Sequence, residues 1–249
     1  MTFLKQYIFV LGFLAVVQPG FSKEDAKFTH RLVVGFNFGG TTPMPLPAEV
    51  RGIDAYWPQF TPQMGYNILY RFASGWGVTS GLLLDLKGMG VKNHVKYMHT
   101  NVLLNEDGQT LDGYFVGRNE TILKVTYLTL PVYLFFVPGD NWKFKAGAYI
   151  SYNYSSEFKG SVWDGYLRLN DFRDKMEILE KGEASFNFGG DMSRFDFGLC
   201  LGAERKLNDR FGIYGNLAWG MKSIFPSNFN ALDYKMYNIY MAIGITYGL

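Results

Sequence analysis

Charged residues that alternate with apolar ones are the strongest candidates for chemistry in this sequence of 249 residues. Eight share one face of strand-like segments: Arg71, Asp85, Lys87, Lys143, Lys145, Arg194, Asp196 and Glu204. Successive side chains of a strand point to opposite faces, so these charges lie on the same side of a sheet. Unpaired buried charge is costly, and we therefore expect the acids to pair with the Lys and Arg side chains in a polar network. A proton or ion path is the functional alternative.

Other groups capable of catalysis or metal binding are few. His94 and His99 lie in one predicted loop, and their spacing does not place both imidazoles on one face of a helix or strand. The sequence contains no Gly-x-Ser-x-Gly element. Cys200, the single cysteine, is predicted to fill space rather than to act in redox chemistry. We therefore predict no catalytic, cofactor-binding or metal-binding residue and no enzymatic activity.

Apolar–polar alternation predicts eight strands. The segments are 32–38, 60–72, 76–87, 127–136, 142–154, 194–204, 211–221 and 237–249. One face of each segment is apolar and rich in aromatic residues, and the opposite face collects Gly, Tyr and the charges. A soluble barrel or β-sandwich is the alternative, but charges of both signs among Gly and Tyr favour a packed polar lumen, and a long apolar face favours lipid. Eight strands enclose an interior just wide enough for side chains to fill.

Short and long connections alternate strictly between these segments. Three are tight, at 73–75, 138–141 and 207–210, and four are long, at 39–59, 88–121, 155–193 and 222–234. This asymmetry is typical of outer-membrane barrels, with short periplasmic turns and long external loops. We predict an all-β, eight-stranded, antiparallel up-and-down transmembrane barrel with both termini in the periplasm.

Two features of the long connections leave room for additional structure. Ten strands are the alternative if Tyr114-Phe115-Val116 and Val162-Trp163 belong to extra hairpins. A surface helix is predicted over Asn170–Gly182, with Phe172, Met176 and Leu179 as its apolar stripe.

The N-terminus predicts export. Lys5 precedes an apolar run over 7–17, and small residues follow at Gly20 and Ser22, which predicts a signal peptide over 1–22 and a barrel domain over 23–249. Eleven apolar residues are fewer than the roughly 20 that a spanning helix needs. A membrane location after export therefore requires a closed barrel, and we expect the outer membrane of a Gram-negative cell. The formal net charge of +2 is too near neutral to favour a nucleic-acid partner.

Three strands carry a family resemblance. Tyr127-Leu-Thr-Leu-Pro-Val-Tyr-Leu134 resembles the Tyr-Leu-x-hydrophobic-Pro strand of PorT-like outer-membrane β-barrel proteins of the Bacteroidota. Trp142 through Tyr149, with Gly147-Ala148, and Asp196–Leu199 with Gly202 are similar to other strands of that family. The resemblance covers the strands from about 31 to 249 but not the long loops.

The last strand is similar to the assembly signal that outer-membrane barrels present to their insertion machinery. Its apolar positions are Met241, Ile243, Ile245, Tyr247 and Leu249. It departs from the usual pattern because it ends on Leu rather than Phe.

These observations predict a non-enzymatic outer-membrane barrel with a side-chain-filled lumen, which presents long external loops for structural or binding roles. An accessory role in type IX-like protein secretion is the alternative that the resemblance implies. A narrow small-solute channel is a third possibility, which needs a continuous water path. The expected partners are outer-membrane lipid, the barrel insertion machinery and an unidentified surface or secretion partner, with no cofactor and no nucleic acid.

Overall fold

The computed structural model describes residues 27–104, 108–169 and 175–249, so the predicted signal peptide lies outside the described residues. This part of the chain forms one antiparallel sheet and a single 3₁₀ turn, Gly189–Asp191. The strands are β1 (Phe28–Pro43), β2 (Val50–Pro58), β3 (Pro62–Ala73), β4 (Trp76–Leu104), β5 (Thr110–Phe136), β6 (Trp142–Leu169), β7 (Lys175–Ile178), β8 (Ala184–Asn187), β9 (Phe195–Lys206), β10 (Phe211–Gly220) and β11 (Met236–Gly248). The described residues contain no helix with the length and apolar character needed to cross a membrane.

Eight strands close into a ring. Their order is β1–β3–β4–β5–β6–β9–β10–β11, and β11 pairs with β1 from Arg31 opposite Gly248 to Pro43 opposite Met236. The predicted eight-stranded antiparallel barrel is therefore confirmed. The ten-strand alternative is wrong, because residues 114–116 lie inside β5 and residues 162–163 lie inside β6. These residues lengthen two ring strands instead of adding new ones.

The apolar face of the ring strands points outward. On β5, Leu130 is 44% exposed, whereas its neighbour Thr129 is 4% exposed, and the same alternation runs from Tyr127 to Phe136. The outward face of the other strands repeats this pattern, with exposed Leu, Ile and Phe side chains. The barrel therefore shows an apolar wall and encloses a polar interior, which is the arrangement that a lipid environment requires.

Three ring strands are far longer than the others. β4, β5 and β6 contain 29, 27 and 28 residues, whereas the other five contain 10 to 16. Most of the sequence predicted as the loops 88–121 and 155–193 is therefore strand. We call the end of the barrel with the tight turns the short-turn end. The structure beyond the opposite end, formed by the described residues of 44–61, 88–121, 155–193 and 221–235, is called the head.

In the head, β4, β5 and β6 bend at similar heights, and beyond the bends the strands form a closed ring. The register of β4 shifts beside Tyr97 (φ 58°), that of β5 shifts at Gly117 (φ 152°), and Asp164 of β6 also has a positive φ of 51°. Such bulges bend and twist a strand. Beyond them, β8 pairs with both β6 and β4, so β4, β5, β6 and β8 form a small closed barrel. Near its base, β2 packs against β4 so closely that the Trp57 ring occupies the space a side chain at Gly90 would need.

The head has its own hydrophobic core. Phe115, Val162 and Leu167 from the long strands are fully buried there. The β9-proximal connection contributes Phe186 and Phe188. The last connection adds Ile224, Phe225, Ala231 and Leu232, which lie in the same cluster. The described parts of the long connections therefore pack into one unit and not into separate surface loops.

The helix predicted over Asn170–Gly182 is wrong in its described part. Lys175–Ile178 forms β7 and pairs with Gly165–Arg168 of β6, and residues 170–174 lie outside the described residues. Ile178 is buried in the head core, and the partly buried Met176 packs against that core. Over four residues, a two-residue period and a helical period place apolar side chains almost equally well, and pairing with β6 decides between them.

Candidate functional site in the polar lumen

A cluster of four charged residues fills the lumen near the short-turn end. Lys143 lies directly opposite Glu204 across the β6–β9 pair, and its Nζ is 2.8 Å from Glu204 Oε2. Arg31 Nη1 contacts Glu204 Oε1, and the Thr246 hydroxyl donates to the same oxygen at 3.2 Å. Lys145 follows two residues after Lys143 on the same face of β6. We call Arg31, Lys143, Lys145 and Glu204 the lower cluster.

Lys145 differs from the other members because it makes no salt bridge within the described residues. Its ammonium group lies 5.2 Å from the ring centre of Tyr133 and 5.5 Å from that of Tyr214. The residue is 7% exposed. Aromatic faces attract a cation, but they supply only part of the stabilisation that a buried ammonium group loses with its water.

A second charged pair lies deeper in the lumen. Lys87 Nζ is 3.5 Å from Asp85 Oδ2, and both residues are buried. Asp85 Oδ1 also accepts hydrogen bonds from Asn37 Nδ2 at 2.7 Å and from Gln63 Nε2 at 2.8 Å. The ammonium group of Lys87 is surrounded by three rings, those of Tyr127, Tyr149 and Tyr240, at 5.0 to 5.7 Å from their centres. The pair is therefore held by neutral groups on several strands.

Asp196 is the third buried carboxylate, and hydroxyl and amide groups hold it. Its Oδ2 accepts hydrogen bonds from the Tyr149 hydroxyl at 3.0 Å and from Asn238 Nδ2 at 2.8 Å. Asn238 Nδ2 also donates to the Tyr127 hydroxyl at 3.1 Å. Asp196 Oδ1 is buried and has no partner among the described residues. Tyr127 connects this polar layer with the hydrophobic core of the head, because its hydroxyl accepts from Asn238 while the residue packs in that core.

A small cavity lies beside the Asp85–Lys87 pair in the lumen. Its volume is about 30 Å³, and Asn37, Tyr149 and Cys200 also line it. This space is large enough for a single water molecule. Beyond it, Met89, Val125 and Phe158 begin the hydrophobic core of the head. On the side of the head, the cavity is therefore followed by packed apolar side chains.

The structure brings together six of the eight residues predicted for the polar network. They are Asp85, Lys87, Lys143, Lys145, Asp196 and Glu204. Arg71 and Arg194 are not in the lumen, and for these two the prediction is wrong, because both are exposed at strand ends. A long side chain at the rim reaches water past the end of the strand, so alternation does not force it inward.

Arg31 is a lumen residue that the sequence analysis missed. The first predicted segment begins at Leu32, and Arg31 lies just before it on the inward-facing parity. Because β1 begins at Phe28, Arg31 is already inside the pairing region, opposite Gly248 of β11. Extending the alternation by one residue was the signal that could have found it.

The other residues singled out in the sequence lie away from this network. Cys200 is a buried free thiol. In the head, His94 Nδ1 is 3.1 Å from Asp54 Oδ2, and His99 lies between Asp112 and Asp233 at 3.0 and 3.5 Å. The described residues contain no group of three or more His, Cys, Asp or Glu that could hold a metal ion. On β11, the exposed outward positions are Met241, Ile243 and Ile245; Tyr247 near its end and Leu249 just after it are half-exposed.

One charged cluster lies on the outer surface of the head, beyond the wall of the barrel. Glu120 Oε2 is 2.6 Å from Lys181 Nζ and 3.5 Å from Lys92 Nζ. Burial raises the pKa of Glu120, but the two ammonium groups outweigh it and hold that pKa below its usual value. Lys181 also lies over Trp163, at 5.1 Å from the ring centre. The cluster ties the segment after β7 to β5.

Comparison with known proteins gives a family match and similarities to solved structures. Residues 22–226 match the model of a family described as outer membrane protein beta-barrel domain. Among solved structures, Ail, the attachment invasion locus protein of Yersinia pestis, is 12% identical, with 89% of this chain and 97% of Ail covered and a TM-score of 0.35. The outer membrane protein OprG from Pseudomonas aeruginosa is 16% identical, with 89% of this chain and 95% of OprG covered and a TM-score of 0.38. No curated protein matches the chain by sequence.

Proposed function

Because this chain belongs to the family of outer membrane protein β-barrel domains, we propose that it is a non-conducting, non-enzymatic barrel that presents its ordered head for binding at the cell surface. The observation that carries this proposal is the division of the molecule into two filled parts. The ring encloses a buried polar network with a cavity of about 30 Å³ beside the Asp85–Lys87 pair, and the head encloses a hydrophobic core. Such an interior supports a scaffold that carries a surface, and it does not support passage of solutes.

The head exposes both apolar and charged side chains, whereas the outer wall of the ring is apolar. Its exposed apolar side chains include Ile53, Tyr97, Leu103 and Leu179. Charged groups lie beside them in the Glu120 cluster and around His94. Because the head is built on paired strands with a buried core, these groups keep fixed relative positions. A rigid surface loses little conformational entropy when a partner binds, which supports a recognition role.

Conductance tests the closed lumen. The purified barrel is reconstituted in a planar lipid bilayer, with an open porin in parallel as the positive control. We expect no stable current steps from this protein over the same voltage range. Reproducible steps from the folded, heat-modifiable protein would overturn the proposal and favour a narrow channel.

Cysteine labelling tests which end faces outward. Cys200 is buried and leaves little background, so single cysteines at Leu179 in the head and at Asp140 at the short-turn end are informative. We expect a membrane-impermeant maleimide to label Leu179→Cys on intact cells and Asp140→Cys only after lysis. Labelling of Asp140→Cys alone on intact cells would reverse the orientation and contradict display of the head at the cell surface.

The PorT-like resemblance supports a second hypothesis, an accessory role in protein secretion. It rests on the strand over Tyr127–Leu134 and on the similar strands that follow. A comparison of exported proteins between a deletion strain and its parent tests it. Loss of a defined set of exported proteins, restored by complementation, would favour the accessory role, and an unchanged profile would remove it.

A further inference from the structure

We propose that the lower cluster binds a small inorganic anion of the halide class, held by Arg31, Lys143 and Lys145 and reached from the short-turn end. This goes beyond the scaffold role, because it assigns a ligand site to the interior of the barrel. It does not depend on that role, since an anion site open at one end is compatible with a closed lumen.

The charge balance of the lower cluster supports an anion. Arg31 and Lys143 share the single carboxylate of Glu204, and Lys145 lies two residues beyond Lys143 on the same face of β6. Lys143, Lys145 and Glu204 are all less than a tenth exposed. A buried cation without a counter-charge is strongly unfavourable, and one carboxylate cannot neutralise three cations. A bound anion supplies part of the missing negative charge.

The hydrogen-bond geometry leaves cationic groups free for that anion. Glu204 Oε1 is engaged by Arg31 Nη1 and the Thr246 hydroxyl, and Oε2 is engaged by Lys143. Arg31 Nε is buried and has no hydrogen-bond partner in the described part of the chain. Lys145 likewise makes no salt bridge within those residues. Arg31 and Lys145 therefore retain unused donors, and the Lys143 ammonium group has hydrogens beyond the one that it donates to Glu204.

The other two buried acids are held by groups outside the lower cluster, although Asp196 Oδ1 itself has no partner among the described residues. Asp85 is paired with Lys87 and accepts two amide hydrogen bonds. Asp196 is held by the Tyr149 hydroxyl and the Asn238 amide, in the layer that adjoins the head. Neither carboxylate forms a salt bridge with a member of the lower cluster, so protein groups do not remove the local excess of positive charge.

The position of the cluster provides access from one side. Lys143 is the second residue of β6, Glu204 lies two residues before the end of β9, and Arg31 lies opposite the last residue of β11. The Arg31 side chain is 22% exposed, so it connects the cluster with solvent at the short-turn end. Tyr133, Tyr214 and the Asp85–Lys87 layer close the other side.

Thermal unfolding in matched salts tests the site. The full chain is folded in nanodiscs of zwitterionic lipid and melted in sodium chloride and in sodium gluconate at equal ionic strength. We expect chloride to raise the melting temperature of the wild type by about 3 °C, because an anion bound only to the folded state stabilises it. Lys145→Met should lose this difference, whereas Lys124→Met, which removes an exposed lysine on the outside of β5, should keep it.

A second pair of variants gives opposite signs and guards against misfolding. Glu204→Gln removes the competing carboxylate and should enlarge the difference between chloride and gluconate, whereas Arg31→Gln should reduce it. Broadening of the ³⁵Cl resonance by the wild type, and its loss in Lys145→Met, measures binding directly. Equal melting in both salts, or broadening that Lys145→Met retains, would overturn the proposal.

Discussion

The hydroxyl group of Tyr214 on β10 donates a hydrogen bond to Gln63 Oε1 on β3 at 3.0 Å, across the interior between strands that are not neighbours in the ring. Gln63 also donates a hydrogen bond from its Nε2 to Asp85 Oδ1. The chain of contacts therefore connects the layer of the lower cluster with the Asp85–Lys87 layer. It explains how a barrel of small diameter keeps its polar interior in one arrangement.

Removing this crosslink should weaken the barrel measurably. Tyr214→Phe keeps the ring but leaves Gln63 Oε1 buried without a donor, so we expect a loss of about 1 to 2 kcal/mol in the free energy of unfolding. Urea unfolding in lipid, followed by tryptophan fluorescence, measures it. Tyr152→Phe, on the exposed outer face, is the matched control and should change stability little. Equal effects of the two substitutions would contradict a structural role for the crosslink.

The Asp85–Lys87 pair should show strong coupling in a double-mutant cycle. Lys87→Met leaves the buried Asp85 carboxylate without its cation, and Asp85→Asn leaves Lys87 without its anion, so each should cost about 3 kcal/mol or more. The double variant should be far more stable than the sum of the two losses predicts, because it contains no unpaired charge. Additive losses in urea unfolding would show that the two groups do not depend on each other.

The core of the head should be sensitive to truncation while the barrel remains intact. Leu167 is fully buried in that core, and Leu179 is 66% exposed, so Leu→Ala at the two positions compares the same chemical change. Leu167→Ala should cost about 2 to 5 kcal/mol and Leu179→Ala less than about 0.5 kcal/mol. Limited proteolysis should cleave the head of Leu167→Ala first, with the barrel still folded. Equal protease resistance of both variants would argue against an independently packed head.

The Glu120 cluster should make the head weakly pH-dependent. Because Lys181 and Lys92 hold the pKa of Glu120 below its usual value, its contribution to stability is present above the ordinary carboxylate range and is lost as the pH falls through the lowered pKa. Its size should remain below about 1 kcal/mol, since the lysines are exposed. Hydrogen exchange near Lys181 should differ between wild type and Glu120→Gln at pH 6 and converge near the lowered pKa. A difference that persists at low pH would exclude this mechanism.

The apolar–polar alternation predicted the eight ring strands correctly, because lipid outside and polar groups inside impose a two-residue period on every strand. It failed where that constraint ends. Arg71 and Arg194 lie at strand ends, where water is available on either face, and Arg31 lies at the start of β1, where the segment was cut one residue too late. At the two rim positions the alternation does not fix the side of the side chain, whereas Arg31 follows the inward parity of β1.

The head was predicted as loops for a different physical reason. Its strands are buried by one another and not by lipid, and their pairing is set by contacts between distant segments such as β8 with β4. Short strands of four residues, such as β7, are too brief for any period to identify them. The pairing within the lower cluster could not be predicted either, because sequence spacing does not show how many cations share one carboxylate.

The composition of the head core implies an order of assembly. The core contains Met89 and Phe115 from the first half of the chain, but also Phe225 and Met236, and Met236 is the first residue of β11. Since β11 is the strand that closes the ring against β1, the core is complete only after closure. A packed head therefore indicates that the ring has closed. An intermediate that stops before closure would have a loosened, protease-sensitive head, which the proteases of the cell envelope could recognise.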